Sequence, residues 1–188
     1  VIGRVVPEAD SHGNYNQITD MIEELQFDSL THVYNKKTIT AYAVKCLKEE
    51  QNNRVTIAVL DVDHFKKVND VYGHMYGDKV LARVGRKLKE VVGEDGVVGR
   101  IGGDEFVVVV EGEDLNSIAH CKDILKEQFE QINEMYTDEY IASVAVGIVE
   151  YDRKKYSCFD DIFKRADEIM YENKQEIKSN HENAWMKR

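Results

Sequence analysis

The spacing of apolar residues switches repeatedly between helical and extended patterns, with polar or glycine-rich breaks between segments. Val1–Val6 reads as the end of a short strand, closed by the single proline, Pro7, and by polar residues to about Asn14. From Tyr15 to Gln26, Ile18, Met21, Ile22 and Leu25 form a narrow helical seam like that of a coiled-coil linker, which Asp28-Ser29-Leu30-Thr31 breaks. A helix over Lys37 to Glu50 carries Ile39, Tyr42, Ala43, Cys46 and Leu47 on one face and stops at Gln51-Asn52-Asn53. Val55 to Val62 is a nearly continuous apolar run, as in a strand covered on both faces. Helical spacing resumes near Phe65 and again from Asp78 to Val92. Val97–Ile101 and Phe106–Val110 are short apolar arms joined by Gly102-Gly103-Asp104-Glu105, the pattern of a β-hairpin. A helix from Leu115 to Ile132, a strand from Ile141 to Val149 and a helix from Phe159 to Lys174 follow, and the tail is polar. The last helix turns Ile162, Phe163, Ala166 and Met170 inward. One hairpin interrupting a strand–helix alternation predicts an α/β sandwich (α+β in character), with a mixed central sheet flanked by helices.

Composition narrows the functions. The 188 residues, 43% hydrophobic and 32% charged, suffice for one globular domain with an appendage. A formal net charge of -10 leaves no broad basic surface for a nucleic-acid backbone. A nucleotide substrate would need a local device instead: backbone amides, a few lysines or a metal. Cys46, Cys121 and Cys158 are scattered and in no metal-ligand spacing, so buried thiols in a reducing cytoplasm are expected. No apolar run approaches the roughly 18 residues that span a membrane, and the beginning of the chain shows no signal pattern. The expected location is the cytoplasm, as a soluble piece that a larger, membrane-bound parent can carry.

The chemistry concentrates in two acidic groups. Gly102 and Gly103 allow a sharp turn and close approach of a ligand, and place Asp104 and Glu105 at a hairpin tip. Asp61-Val62-Asp63 closes the buried strand, at the kind of strand end where open α/β sheets bind ligands. Asp61 and Asp104 form a pair suited to magnesium, which takes one or two carboxylates plus waters and phosphates. Asp63 reads instead as a cap on the next helix. At the following strand-to-helix turn, the backbone of His64, Phe65 and Lys66 offers amides to phosphate oxygens. Asn69 and Asp78 supply the donor and acceptors needed to read a guanine edge, although these two residues alone leave the ligand open.

Taken together, these blocks resemble the GGDEF domain, the catalytic domain of diguanylate cyclases. The resemblance runs from Asp28 to about Asn180. It rests on Asp28-x-Leu30-Thr31 with Asn35, the Asp61–Asp78 block, Arg100 through Phe106, and Arg165-Ala166-Asp167 through Tyr171 and Lys174. It implies a palm-like nucleotidyl cyclase architecture with the signature on a β-hairpin. The implied reaction condenses two GTP into cyclic di-GMP and two pyrophosphates, in a homodimer that uses magnesium, or manganese in its place. By the same resemblance Asp61, the Val62 carbonyl and Asp104 are metal ligands. Glu105 joins Asp104 as catalytic, either as a further ligand or as the group activating the attacking hydroxyl. Asn69 and Asp78 read guanine, and an intact Asp78 favours guanine over adenine. His64, Phe65 and Lys66 cradle the triphosphate, His74 belongs to the same substrate-binding block, and Lys174 reaches the terminal phosphates.

This sequence departs from the family pattern at several positions. His32 replaces a glycine, Lys36 an arginine, and Lys178 a phosphate-binding arginine, keeping charge but losing the bidentate fork. The family's inhibitory product site, Arg-x-x-Asp, falls on Gly93 and Gly96, which can supply neither a guanidinium nor a carboxylate. No product inhibition is expected there.

On this reading residues 1–27 are the end of an upstream, PAS-like sensor segment and a linker helix, 28–180 the cyclase domain, and 181–188 a tail. The linker helix and the active-site faces would join two copies. Three other readings compete. A non-catalytic module binding GTP or cyclic di-GMP should show a degenerate signature, yet Gly102 through Phe106 are all present. Another palm-type cyclase or polymerase-like enzyme would share the carboxylates but not Asn69 and Asp78. A phosphoacceptor signalling domain needs an unbroken strand–helix repeat, which the hairpin contradicts.

Overall fold

Alternation along two long strands builds both halves of the core. In the computed structural model, residues 25–48, 54–94, 96–112 and 144–185 are described, with side chains described as far as residue 175. The expected Val1–Val6 strand, the body of the linker helix, the Leu115–Ile132 helix and Cys121 lie outside these residues. Strand β1 (Tyr34–Asn35) leads into helix α1 (Lys36–Lys48), and β2 (Val55–Val62) into α2 (Phe65–Tyr72) and α3 (His74–Val92). The hairpin β3 (Gly96–Arg100) and β4 (Glu105–Glu111) follows, then β5 (Val144–Glu150) and α4 (Phe159–Trp185).

The five strands lie in the order β1-β3-β4-β2-β5, with β1 parallel to β3 and the other neighbours antiparallel. The sheet is therefore mixed. Leu60 and Val62 of β2, with Phe106 and Val108 of β4, pack on one face with Val68, Val80, Leu81, Val84 and Leu88 from α2 and α3. Val55, Ile57 and Val59, with Val107 and Val109, pack on the other face with residues of α1 and α4. Covering both faces is what makes β2 and β4 read as continuous apolar runs.

The boundaries differ from the sequence expectation where backbone geometry outweighs periodicity. The third helix begins at His74, four residues before Asp78, because Gly73 makes the whole corner. At φ 84° its amide donates to the Asn69 carbonyl at 2.9 Å, ending α2, while its own carbonyl accepts from Tyr76 and Gly77, starting α3. The last helix runs on to Trp185, since the residues after Lys174 include neither glycine nor proline although they lack an apolar stripe. Cys158, expected buried, is exposed at the turn that starts α4. Cys46 is buried as expected, and burial together with a hydrogen bond to Glu111 pushes its thiol up to about 12. Among the described residues no helix is long and apolar enough to cross a membrane.

His32, the residue standing in for a glycine, has φ 52°. A left-handed conformation costs an L-residue about 1–2 kcal/mol, partly offset by glycine's greater freedom in the unfolded chain. His32→Gly is therefore expected to stabilise the fold by about 0.5–1 kcal/mol, read from chemical denaturation at unchanged m-value.

Candidate active site

The antiparallel register of β2 and β4 sets Asp61 directly opposite Glu105. One residue further, the Val62 amide donates to the Asp104 carbonyl at 3.0 Å, so the hairpin tip is tied to the end of β2. Directly paired residues of antiparallel strands have Cβ atoms about 4.5–5.5 Å apart, and like charges placed so destabilise. Burial and the Asp61 charge hold the Asp104 carboxyl above the usual carboxylate range. Glu105 is raised by burial and by Asp61, Asp104 and Asp167. A Cβ at Gly102 would sit 2.5 Å from Glu105 Oε2, so a side chain there would have to displace the Glu105 carboxylate.

Lys174 is the cation in contact with this cluster among the described residues, with Arg100 acting on Asp104 through its charge. Lys174 Nζ on α4 lies 2.5 Å from Asp61 Oδ1. Its helix is seated by two features that sequence reasoning left without a role. The Val146 amide donates to Asn173 Oδ1 at 3.1 Å, and Gly147 lets α4 come so near that a Cβ would strike the Ala166 carbonyl oxygen. Asp167, named earlier only within a motif, is exposed on this helix and adds to the negative field at Glu105. The clue available in sequence was a glycine inside a strand, which marks close backbone approach.

The strand-to-helix turn after Asp61 is shaped for an anion. His64 is left-handed at φ 55°, ψ 20° and Phe65 begins α2, and such alternation gathers successive backbone N–H groups on one side. Of the expected cradle, the His64 amide is taken by Asp63 Oδ1 at 3.1 Å. Asp63 is fully buried, but the expected cap is not formed: His64 is the N-cap of α2, no side chain caps it, and Asp63 accepts from the His64 amide instead. His64, Lys66 and His74 are exposed and Phe65 is half-buried. Asn69 on α2 lies against Gly77 on α3, one residue from the exposed Asp78. A Cβ at Gly77 would collide with Asn69 Oδ1, a buried acceptor with no hydrogen-bond partner.

The remaining motif residues prove architectural. Asp28 Oδ1 accepts from the Thr31 amide at 2.9 Å and the Thr31 hydroxyl at 2.7 Å. Arg100 donates to Asp28 at 3.0 and 3.3 Å and, through its other terminal nitrogen, to the Gly103 carbonyl at 2.7 Å. Burial would raise the Asp28 carboxyl, but the hydrogen bonds from Thr31 and the Arg100 charge outweigh it and hold it below its ordinary value. Asn35 caps α1, accepting from the Thr38 amide and hydroxyl at 3.0 and 3.1 Å.

Residues 25–180 match the family described as "Diguanylate cyclase, GGDEF domain". The chain belongs to the GGDEF family. It is 32% identical over 155 residues to the probable diguanylate cyclase DgcF of Escherichia coli K12, covering 80% of this chain and 49% of that protein. Against the diguanylate cyclase DgcP of the same organism it is 32% identical over 158 residues, covering 82% and 46%. The chain thus spans about half the length of these curated relatives. Among solved structures, the coiled coil and GGDEF domain of DgcB from Caulobacter crescentus, in complex with c-di-GMP, superposes with a TM-score of 0.73. That match is 26% identical and covers 89% of this chain and 92% of that one. The mixed sheet flanked by helices is accordingly the fold of GGDEF domains.

The GGDEF signature here presents the chemistry a divalent ion needs. Among the described residues no three histidine, cysteine or acidic side chains form a ready-made cage. Magnesium asks for less, one or two carboxylates with the rest from water and phosphate, and Asp61 and Asp104 match that demand. Burial and then the charge of Asp61 raise Asp104 and Glu105, and a bound cation would offset that charge. At the usual inhibitory positions, Gly93 is exposed at φ 60°. A Cβ at Gly96 would lie 2.5 Å from the Val109 carbonyl oxygen. Lys36 is exposed at the start of α1, and Lys178 lies on α4 beyond the described side chains.

Because burial, and then its acidic neighbours, raise the Glu105 carboxyl, its charge opposes folding at neutral pH. The sign follows from linkage: a carboxyl raised in the folded state contributes less stability as pH rises through its folded value. Glu105→Gln is expected to raise stability in metal-free buffer by about 0.5 kcal/mol after solvent screening, or about 1–2 °C in melting temperature. Calorimetry at neutral pH checks this, and the gain should vanish in acid.

Proposed function

We propose that this chain is a diguanylate cyclase domain, joining two GTP into cyclic di-GMP with release of two pyrophosphates. The observation that carries the reading is the strand register that opposes Asp61 and Glu105 with Asp104 beside them, next to an amide-rich turn and the Asn69–Gly77–Asp78 corner. Family membership and relatives named diguanylate cyclases support it.

In this proposal the turn at His64, Phe65 and Lys66 binds phosphate oxygens through the backbone N–H groups of Phe65 and Lys66, the His64 amide being held by Asp63. Asp78, exposed at this corner, accepts from the paired N1–H and N2–H donors of guanine that adenine lacks, and Asn69, whose Oδ1 has no hydrogen-bond partner, reads the same base. Lys174 and Lys178 hold the terminal phosphates, with His74 beside the nucleotide. Magnesium, or manganese in its place, held by Asp61, Asp104 and the Val62 carbonyl, would acidify the attacking hydroxyl and neutralise phosphate charge. Glu105 accepts the proton of the 3′-hydroxyl, a role helped by its raised carboxyl. In each transfer a 3′ oxygen forms a bond to the α-phosphorus of the other GTP, and the bond from that phosphorus to pyrophosphate breaks. One domain holds one GTP, so two copies meet about a two-fold axis. A helix over residues 15–26, following an upstream sensor in the cytoplasm, would bring them together, and the DgcB structure is named for a coiled coil joined to its GGDEF domain. With glycine at 93 and 96, product does not inhibit through that site.

The test is incubation of the chain with GTP and magnesium over a range of protein concentrations, with chromatography for cyclic di-GMP and pyrophosphate. Product rising more steeply than linearly with protein, and abolished in Asp104→Ala, is expected. GTP binding without product, even in an enforced dimer, would instead make the chain a nucleotide-sensing module. Gly77→Ala should weaken GTP binding about tenfold, equivalent to about 1.4 kcal/mol, by displacing Asn69. Its melting temperature should hold, because alanine favours the helix by roughly 1 kcal/mol over glycine.

A further inference from the structure

Lys174 is partly buried and comes from the far end of the chain, 113 residues from Asp61, to lie 2.5 Å from Asp61 Oδ1. Its charge also lowers the carboxyls of Asp104 and Glu105. The three acidic groups of the site therefore share one ammonium. Arg100, the other cation near the tip, is committed to Asp28 and the Gly103 carbonyl. The seat of Lys174 is not accidental, since Asn173 beside it is pinned to β5 and α4 closes on Gly147.

We infer that Lys174 is the resident counter-ion of the carboxylates, competing with divalent metal for Asp61, so that metal is loaded together with nucleotide and not before it. The inference rests on the cyclase reading for the identity of the site. An ammonium against Asp61 repels a dication brought to the same carboxylate, so metal alone binds weakly. A triphosphate reverses the balance. Its oxygens offer the ammonium a stronger partner and supply the metal's remaining ligands, so Lys174 leaves Asp61 as the metal–nucleotide complex arrives. Lys174 thereby does two jobs with opposite signs, opposing free metal and favouring metal–nucleotide.

The experiment measures binding of Mn2+ alone, by the electron paramagnetic resonance of free Mn2+, to the wild-type chain, Lys174→Met and Lys174→Arg. Binding of GTP with Mn2+ is measured in parallel. Lys174→Met is expected to bind Mn2+ alone at least tenfold more tightly than wild type, and to gain thermal stability from Mn2+ that wild type does not. With GTP present the order reverses, the variant binding nucleotide more weakly. Lys174→Arg, which keeps the charge, should stay within about threefold of wild type for Mn2+ alone, and it provides the comparison if Lys174→Met folds only with metal. Equal or weaker Mn2+ binding in Lys174→Met, or tenfold tighter binding in Lys174→Arg, would overturn the counter-ion role. Either outcome leaves the cyclase reading standing if wild type still forms product. Failure of that reading alone would appear as absent product with the Mn2+ difference intact.

Discussion

The site depends on one pairing, the antiparallel alignment that puts Asp61 of β2 against Glu105 of β4. Seven consecutive residue pairs between Val55↔Glu111 and Asp61↔Glu105 hold that register. A slip of one residue would turn Phe106 out of one core and Val107 and Val109 out of the other, so the hydrophobic cores enforce a juxtaposition that the acids themselves resist. Two apolar faces thus hold charges in place for chemistry.

What surrounds the pairing manages its charge. On one side α4 carries Lys174 to Asp61, held close by Asn173 and by the space Gly147 leaves. On the other, Arg100 bridges Asp28, ahead of β1, to the Gly103 carbonyl at the hairpin tip. Its Nε is buried without a hydrogen-bond partner, so this guanidinium is spent on joining two segments and not on its own full satisfaction. Asp28 and Arg100, at the base of the hairpin tip, are in this way mechanically joined although 72 residues apart.

Much of this was legible in sequence because it is carried by local pattern. The continuous apolar run of Val55–Val62 announced a strand buried on both faces, and Gly102-Gly103 between apolar arms announced the hairpin. Asp61 and Asp104 were recognisable as a pair from their positions at two strand ends. What could not be read is contact between separate elements: Asn173 with Val146, Gly77 with Asn69 across the α2–α3 corner, Arg100 with Asp28. The helix start at His74 escaped because a single glycine, with no polar cluster, makes the corner. Cys158 was misplaced because its setting before an apolar stripe says nothing about which way the preceding turn points its side chain.

The glycine at position 96 fixes how near two strands can sit. Any side chain there must first push back the Val109 carbonyl of the neighbouring strand. Grafting an acid onto this corner is therefore a problem of backbone spacing and not of side-chain choice.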